Sequence, residues 1–129
     1  MIRTWPVQRA IYTVLSSDAT LNAMVTGISD EPLQNQQHPY IVLGEDTAAS
    51  DDLLSETGSQ VTLTMHVWDK DAPTSRAKQI VDRINFLLHN ATLTLLSGAA
   101  VSCRSEFTQT TRDGDTVHSV VRVRVLTFG

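Results

Sequence analysis

The passage VTLTMHVWDKDAPTSRAKQIVDRINFLLH, residues Val61 to His89, carries two different periodicities in direct succession. Val61, Leu63, Met65 and Val67 alternate with Thr62, Thr64, His66 and Trp68. Successive side chains of a strand point to opposite faces, so this is a strand with one buried side. After a break from Asp69 to Pro73, the residues Ala77, Ile80, Val81, Ile84, Leu87 and Leu88 recur at helical spacing. Their stripe must be covered, most simply by a sheet. The passage holds no complete catalytic constellation, so function is expected in surfaces.

The flanking sequence extends this α+β unit. Thr4 and Pro6 open a helix over Pro6–Ser17, in which Val7, Ala10, Ile11, Val14 and Leu15 share a face. Asp18 interrupts it and caps a short helix, Asp18–Val25, that Gly27 closes. Ile28 to Leu33 reads as a short extended segment, and Pro39 precedes a strand from Tyr40 to Gly44. Thr74 is the expected cap of the third helix, Thr74–His89. The expected fold is an antiparallel sheet of about four to five strands with all three helices on one face, forming a single domain over residues 1–129.

Glu45–Ser59 reads as a long acidic loop. It carries Glu45, Asp46, Asp51, Asp52 and Glu56, no base, and only Leu53 and Leu54 as large apolar residues. Such a stretch buries too little surface to offset its ordering entropy, and loops of this length tend to be functional.

The last third predicts a hairpin around Asp113-Gly114. Val101, Cys103, Ser105 and Phe107 form the apolar side of one strand; Val117, Ser119, Val121, Val123 and Val125 form that of the other. A two-residue turn at Asp113-Gly114 sets Cys103 against Arg124. A three-residue loop, Asp113 to Asp115, pairs Cys103 with Val125, Phe107 with Val121 and Glu106 with Arg122, and is preferred because a one-residue slip turns every side chain over. Its flaw is Arg104 opposite Arg124.

Composition narrows the function classes. The 129 residues are 41% hydrophobic with a net charge of −4, which disfavours tight nucleic-acid binding. Cys103 is the only cysteine, and its place on the apolar face marks it as a small core residue. The first residues lack a signal-peptide core, and no apolar run is long enough for a bilayer, so a soluble protein made in the cytosol is expected. The histidines at 38, 66, 89 and 118 show no zinc spacing; His66, Asp69 and Asp71 are a weak metal candidate because strand positions 66 and 69 face opposite ways. There is no nucleophile elbow, phosphate loop or dinucleotide fingerprint. Neither enzymatic activity nor a cofactor is expected. Trp68 on the polar face of its strand is a candidate interface residue. Arg122 and Arg124 share a face of the last strand with His118, and read as guards of an edge strand, as subunit salt-bridge partners, or as weak DNA contacts.

The order of these pieces, QRAIYTVLSSDATLNAMV, then HPYIVLGED, the acidic stretch, VTLTMHVWDKD, a helix and a hairpin, resembles the tail-completion family of long-tailed phages and gene transfer agents. Pro39-Tyr40, Gly44-Glu45-Asp46 and His66-Val67-Trp68 carry the resemblance, which spans nearly the whole chain. It implies a virion assembly protein, present in the host cytoplasm and then in the virion tail, that caps the head-proximal end of the tail tube and joins tail to head. The implied partners are other copies in a ring, usually hexameric, the tail tube protein and the head connector, with DNA passing through the channel without tight binding. A monomer when free is compatible with a ring formed only on its template. The interface residues singled out are Asp46, Asp51, Asp52, Leu53, Leu54, Glu56, Trp68, Arg122 and Arg124. The alternatives are a head-completion or connector component and a cytosolic, non-enzymatic binding module.

Overall fold

The computed structural model describes residues 4–31, 34–50, 58–91, 93–95 and 98–128. In chain order these form α1 (Thr4–Ser17), α2 (Ala19–Met24), β1 (Ile28–Ser29), β2 (Tyr40–Ser50), β3 (Ser59–Lys70), α3 (Thr74–Leu88), β4 (Thr94–Leu95), β5 (Gly98–Asp113) and β6 (Thr116–Phe128). The strands make one sheet in the order β1-β2-β3-β6-β5-β4. The four long strands are antiparallel, as expected. The two-residue β1 runs parallel to β2, so the sheet is mixed at that edge and not purely antiparallel.

One face of the sheet supplies the core. Ile41, Leu43, Val61, Leu63, Met65 and Val67 join Cys103, Val121, Val123 and Val125 in a single buried cluster. The helices close it with Val7, Ile11 and Leu15 from α1, Leu21 from α2, and Ala77, Ile80, Val81, Ile84 and Leu88 from α3. Each helix thus spends its apolar stripe on this inner face. The Asp18 carboxylate accepts the Leu21 N–H at 2.8 Å and so caps α2. The same carboxylate holds Arg83 of α3 through Nε at 2.9 Å and Nη2 at 2.7 Å, tying the α1–α2 corner to the third helix. The Thr74 cap is not used: Thr74 is already helical, and Pro73 is the cap residue without a side-chain bond.

Two expectations about the loop and the hairpin need correction. The strand expected to end at Gly44 runs to Ser50, and Ser59 already pairs in β3. Glu45 and Asp46 therefore lie in β2, with Asp46 opposite Leu63 across a bulge. Polarity misled because β1 reaches only Ile41 and Val42, so beyond them β2 is a sheet edge that needs no apolar partners there. The remaining acidic-loop residues, Asp51, Asp52, Leu53, Leu54 and Glu56, lie outside the described residues.

In the hairpin, Asp113 pairs with Thr116, which leaves a two-residue turn of Gly114 (φ +63°) and Asp115. A bulge at Glu106 then shifts the ladder by one residue. Cys103 faces Val125 and Arg104 faces Arg124 as expected, while Phe107 faces Arg122 instead of Val121. Phe107 is consequently exposed instead of buried. The strand β6 is also not an edge strand: it lies between β3 and β5, so Arg122 and Arg124 do not guard an edge.

Candidate interaction surface

With the helices on the inner face, the opposite face of the sheet is left to its own side chains. Its centre is a polar and aromatic network drawn from three strands. Trp68 and His118 are register partners of β3 and β6, and their rings stack with centroids 3.9 Å apart and planes 3° from parallel. His118 Nε2 lies 2.7 Å from His66 Nδ1. His66 Nε2 lies 3.1 Å from Glu45 Oε2, on the β2 bulge. A carboxylate only accepts, so His66 Nε2 carries the proton; with His66 neutral, its Nδ1 accepts from His118 Nε2–H, and with His66 charged, its Nδ1 donates to His118 Nε2. Glu45, His66 and His118 therefore form a hydrogen-bonded chain backed by the Trp68 face.

Burial and the nearby His66 push the His118 pKa below the ordinary imidazole value, against the opposing pull of Glu45. Its own backbone N–H, and then the His66 donor, hold the Glu45 carboxyl below the usual carboxylate range. Gly44 makes room for this arrangement. A Cβ there would stand 2.7 Å from His66 Cδ2 and 3.1 Å from the Thr64 carbonyl.

The arginines singled out in the sequence continue the same face. The bulge carries Glu106 to Arg124, with Oε2 2.9 Å from Nη2, and this pair relieves the Arg104–Arg124 opposition. The Arg122 guanidinium lies 5.1 Å from the centre of the Phe107 ring. Glu45, Asp46, Glu106 and Arg122 line a shallow depression of about 340 Å³. Trp68, Arg122 and Arg124 thus share one face, and Asp46 borders it.

The arrangement suits binding better than chemistry. His66 presents its two nitrogens to different partners, so Glu45, His66 and His118 do not converge on one point. Among the described residues no group of three His, Cys, Asp or Glu side chains is placed to hold a metal ion. Asp69, the other metal candidate, is buried on the inner face, where it accepts Arg76 Nε at 2.7 Å and the Lys70 N–H at 2.8 Å. Cys103 is fully buried, and burial pushes its thiol up to about 12. Nothing in the sequence pattern signals the His66–His118 contact, which needs β3 and β6 to be neighbours. The exposed aromatics Tyr12 and Phe86 on the helices were missed because each sits between apolar positions of its stripe.

A helix-backed sheet that leaves one face of ordered polar and aromatic side chains open offers a surface for interaction, and what it meets is read from its relatives and not from the fold. The chain belongs to the family of tail completion protein gp17, whose model matches residues 9–128. The tail completion protein gp17 of Bacillus phage SPP1 is 27% identical over 120 residues, spanning 92% of this chain and 89% of that one. The solved structure of bacteriophage SPP1 gp17 matches with a TM-score of 0.67 at 25% identity, covering 98% of this chain and 94% of that chain. A chain in the virion of a native gene transfer agent particle has the same fold, with a TM-score of 0.87 at 24% identity and 96% of each chain covered. The protein is a structural tail-completion component of a virion. Among the described residues, no helix is long and apolar enough to cross a membrane.

Proposed function

We propose that copies of this chain close into a ring, a hexamer, on the head-proximal end of the tail tube. The ring stops tube growth and presents a seat to the head connector, and DNA passes through it without being gripped. The protein performs no catalysis. One observation carries this reading within the family: the sheet face opposite the helices is built from ordered but only half-buried groups, Trp68, His118 and Arg122 among them. Aromatic and arginine side chains held in fixed poses are the groups that anchor protein interfaces. Asp46, Trp68, Arg122 and Arg124 form the contact to a neighbouring virion component, and the segment 51–57 between β2 and β3, with Asp51, Asp52, Leu53, Leu54 and Glu56, extends it.

The test is electron microscopy of particles made without this gene. Headless or overlong tails agree with a terminator that joins tail to head. Filled heads that leak DNA, beside normal tails, point instead to head completion and overturn the assignment. Replacing 51–57 with a Gly-Ser link leaves β2 and β3 paired and should impair joining. A replacement beginning at Asp46 would also remove paired strand and would be uninformative.

A further inference from the structure

The two flanks of the helix layer carry features that fit each other. At the β1 end of the sheet, α1 and β1 bound a groove of about 430 Å³, lined by Trp5, Arg9, Tyr12, Ile28, Asp30 and Leu43. Trp5 and Tyr12 are 61% and 43% exposed, so the groove wall is an open aromatic surface. At the β5 end, α3 projects Phe86, 73% exposed, from a patch shared with Asp82, Asn85, His89 and Ser105. The Arg83 guanidinium lies 4.7 Å from the Phe86 ring centre and is itself gripped by Asp18. The protruding ring is therefore backed by an anchored side chain before any partner arrives.

Charge runs the same way as shape. Arg9 beside the groove and Asp82 beside the ring are exposed and are in no ion pair with another described residue. The groove stands over β1 and β2 and the protruding ring over β5, with β3 and β6 between them in the sheet. A contact between unlike patches on opposite flanks repeats from copy to copy, which is the geometry a closed ring requires.

We propose that Phe86 of one copy seats in the Trp5–Tyr12 groove of the next, with Asp82 meeting Arg9 across the contact. This rests on the ring reading above and names its lateral joint. The ring and the groove wall supply the anchoring area, and the charges set orientation.

The test is complementation of particles lacking the gene. Phe86→Ala should cut completed particles at least about tenfold, the size of one lost interface anchor. Arg9→Glu and Asp82→Arg should each do the same, and the two together in one chain should restore joining, because every copy then meets a reversed partner. All three positions are exposed, so thermal melting of the purified variants should stay at the parent value. A second reading uses cysteines in the purified protein at high concentration and in particles, which is clean because Cys103 is buried. Tyr12→Cys mixed with Phe86→Cys should cross-link, while neither should cross-link to itself. Full joining by both single charge variants, no restoration in the double variant, or Tyr12–Tyr12 cross-links would overturn the proposed joint. Headed tails in the absence of the gene would instead sink the ring reading itself.

Discussion

Trp68 and His118 stack face to face across the β3–β6 pair, and the far side of the histidine is bonded to His66, which is bonded in turn to Glu45. Four side chains from three strands are thereby fixed on the face that the helices leave open. Several consequences can be measured in the isolated protein, before any virion is involved.

The network depends on the missing side chain at Gly44. In Gly44→Ala the new methyl would press on the His66 ring and on the Thr64 carbonyl. Neither is the end of a flexible side chain, so the ring must turn away from Glu45 or His118. We expect a loss of about 1–3 kcal/mol in denaturant unfolding, in line with overpacking elsewhere. Combining it with His66→Ala should recover part of the loss. An unchanged midpoint in Gly44→Ala would contradict the packing described.

Acid should act on His118. Its native pKa lies below the ordinary imidazole value, so between the two values the unfolded chain binds the proton and the native state does not. Stability is therefore full above the unfolded value of about 6.5 and falls as the pH drops through the native one. In NMR titration the His118 resonances should move with a midpoint below that of an unhindered histidine. His118→Gln should flatten the dependence of stability on pH in this window. A midpoint above the ordinary value would show that the charged form is favoured.

Among the described residues, Asp69 is the one carboxylate buried outright on the inner face. Burial alone would raise its pKa, but Arg76, together with the Lys70 N–H, holds it below the usual range. Arg76→Ala leaves the charge without its partner. Because Arg76 is 46% exposed, water can replace part of the interaction, and we expect a cost of about 1–3 kcal/mol, short of a fully buried pair. The signs add in acid: a depressed carboxyl gives stability above its unfolded pKa and loses it as pH falls, so the variant should show a weaker acid dependence than the parent. An identical acid limb in both would count against the pair.

The bulge at Glu106 is expected to be removable. Deleting that residue makes Ser105 and Phe107 consecutive without altering either neighbouring pair, Ser105 with Val123 and Phe107 with Arg122. The hairpin should keep its register in NMR cross-strand contacts. What is lost is the carboxylate that pairs with Arg124, at roughly 0.2–1 kcal/mol and with a dependence on salt. A register slip on deletion would show that the bulge, and not the apolar face, sets the pairing.

The same residues explain what could be read from the sequence. Alternation in Val61–Val67 and helical spacing in Ala77–Leu88 were legible because each element buries one face against the same core. The cap at Asp18 was legible for the same kind of local reason, whereas its hold on Arg83 spans 65 positions and depends on how the helices pack. The β2 extension was hidden because a strand edge tolerates Glu45, Asp46 and Thr47. The hairpin register was right where apolar faces meet, at Cys103 and Val125, and wrong beyond the bulge, where β6 still buries Val117, Ser119 and Val121 but β5 has no buried side chain to select the pairing. Of the candidate surface, Trp68, Arg122 and Arg124 were visible as polar-face positions. His66–His118–Glu45 became a site only once β3 was known to lie between β2 and β6.

A cryo-electron-microscopy reconstruction of the tail end in finished particles tests the proposed ring most directly. We expect a closed ring of this chain, one layer thick, between the last tube ring and the head connector, with neighbouring copies joined flank to flank. Copies distributed along the tube, or a finished head–tail junction that contains none, would contradict it.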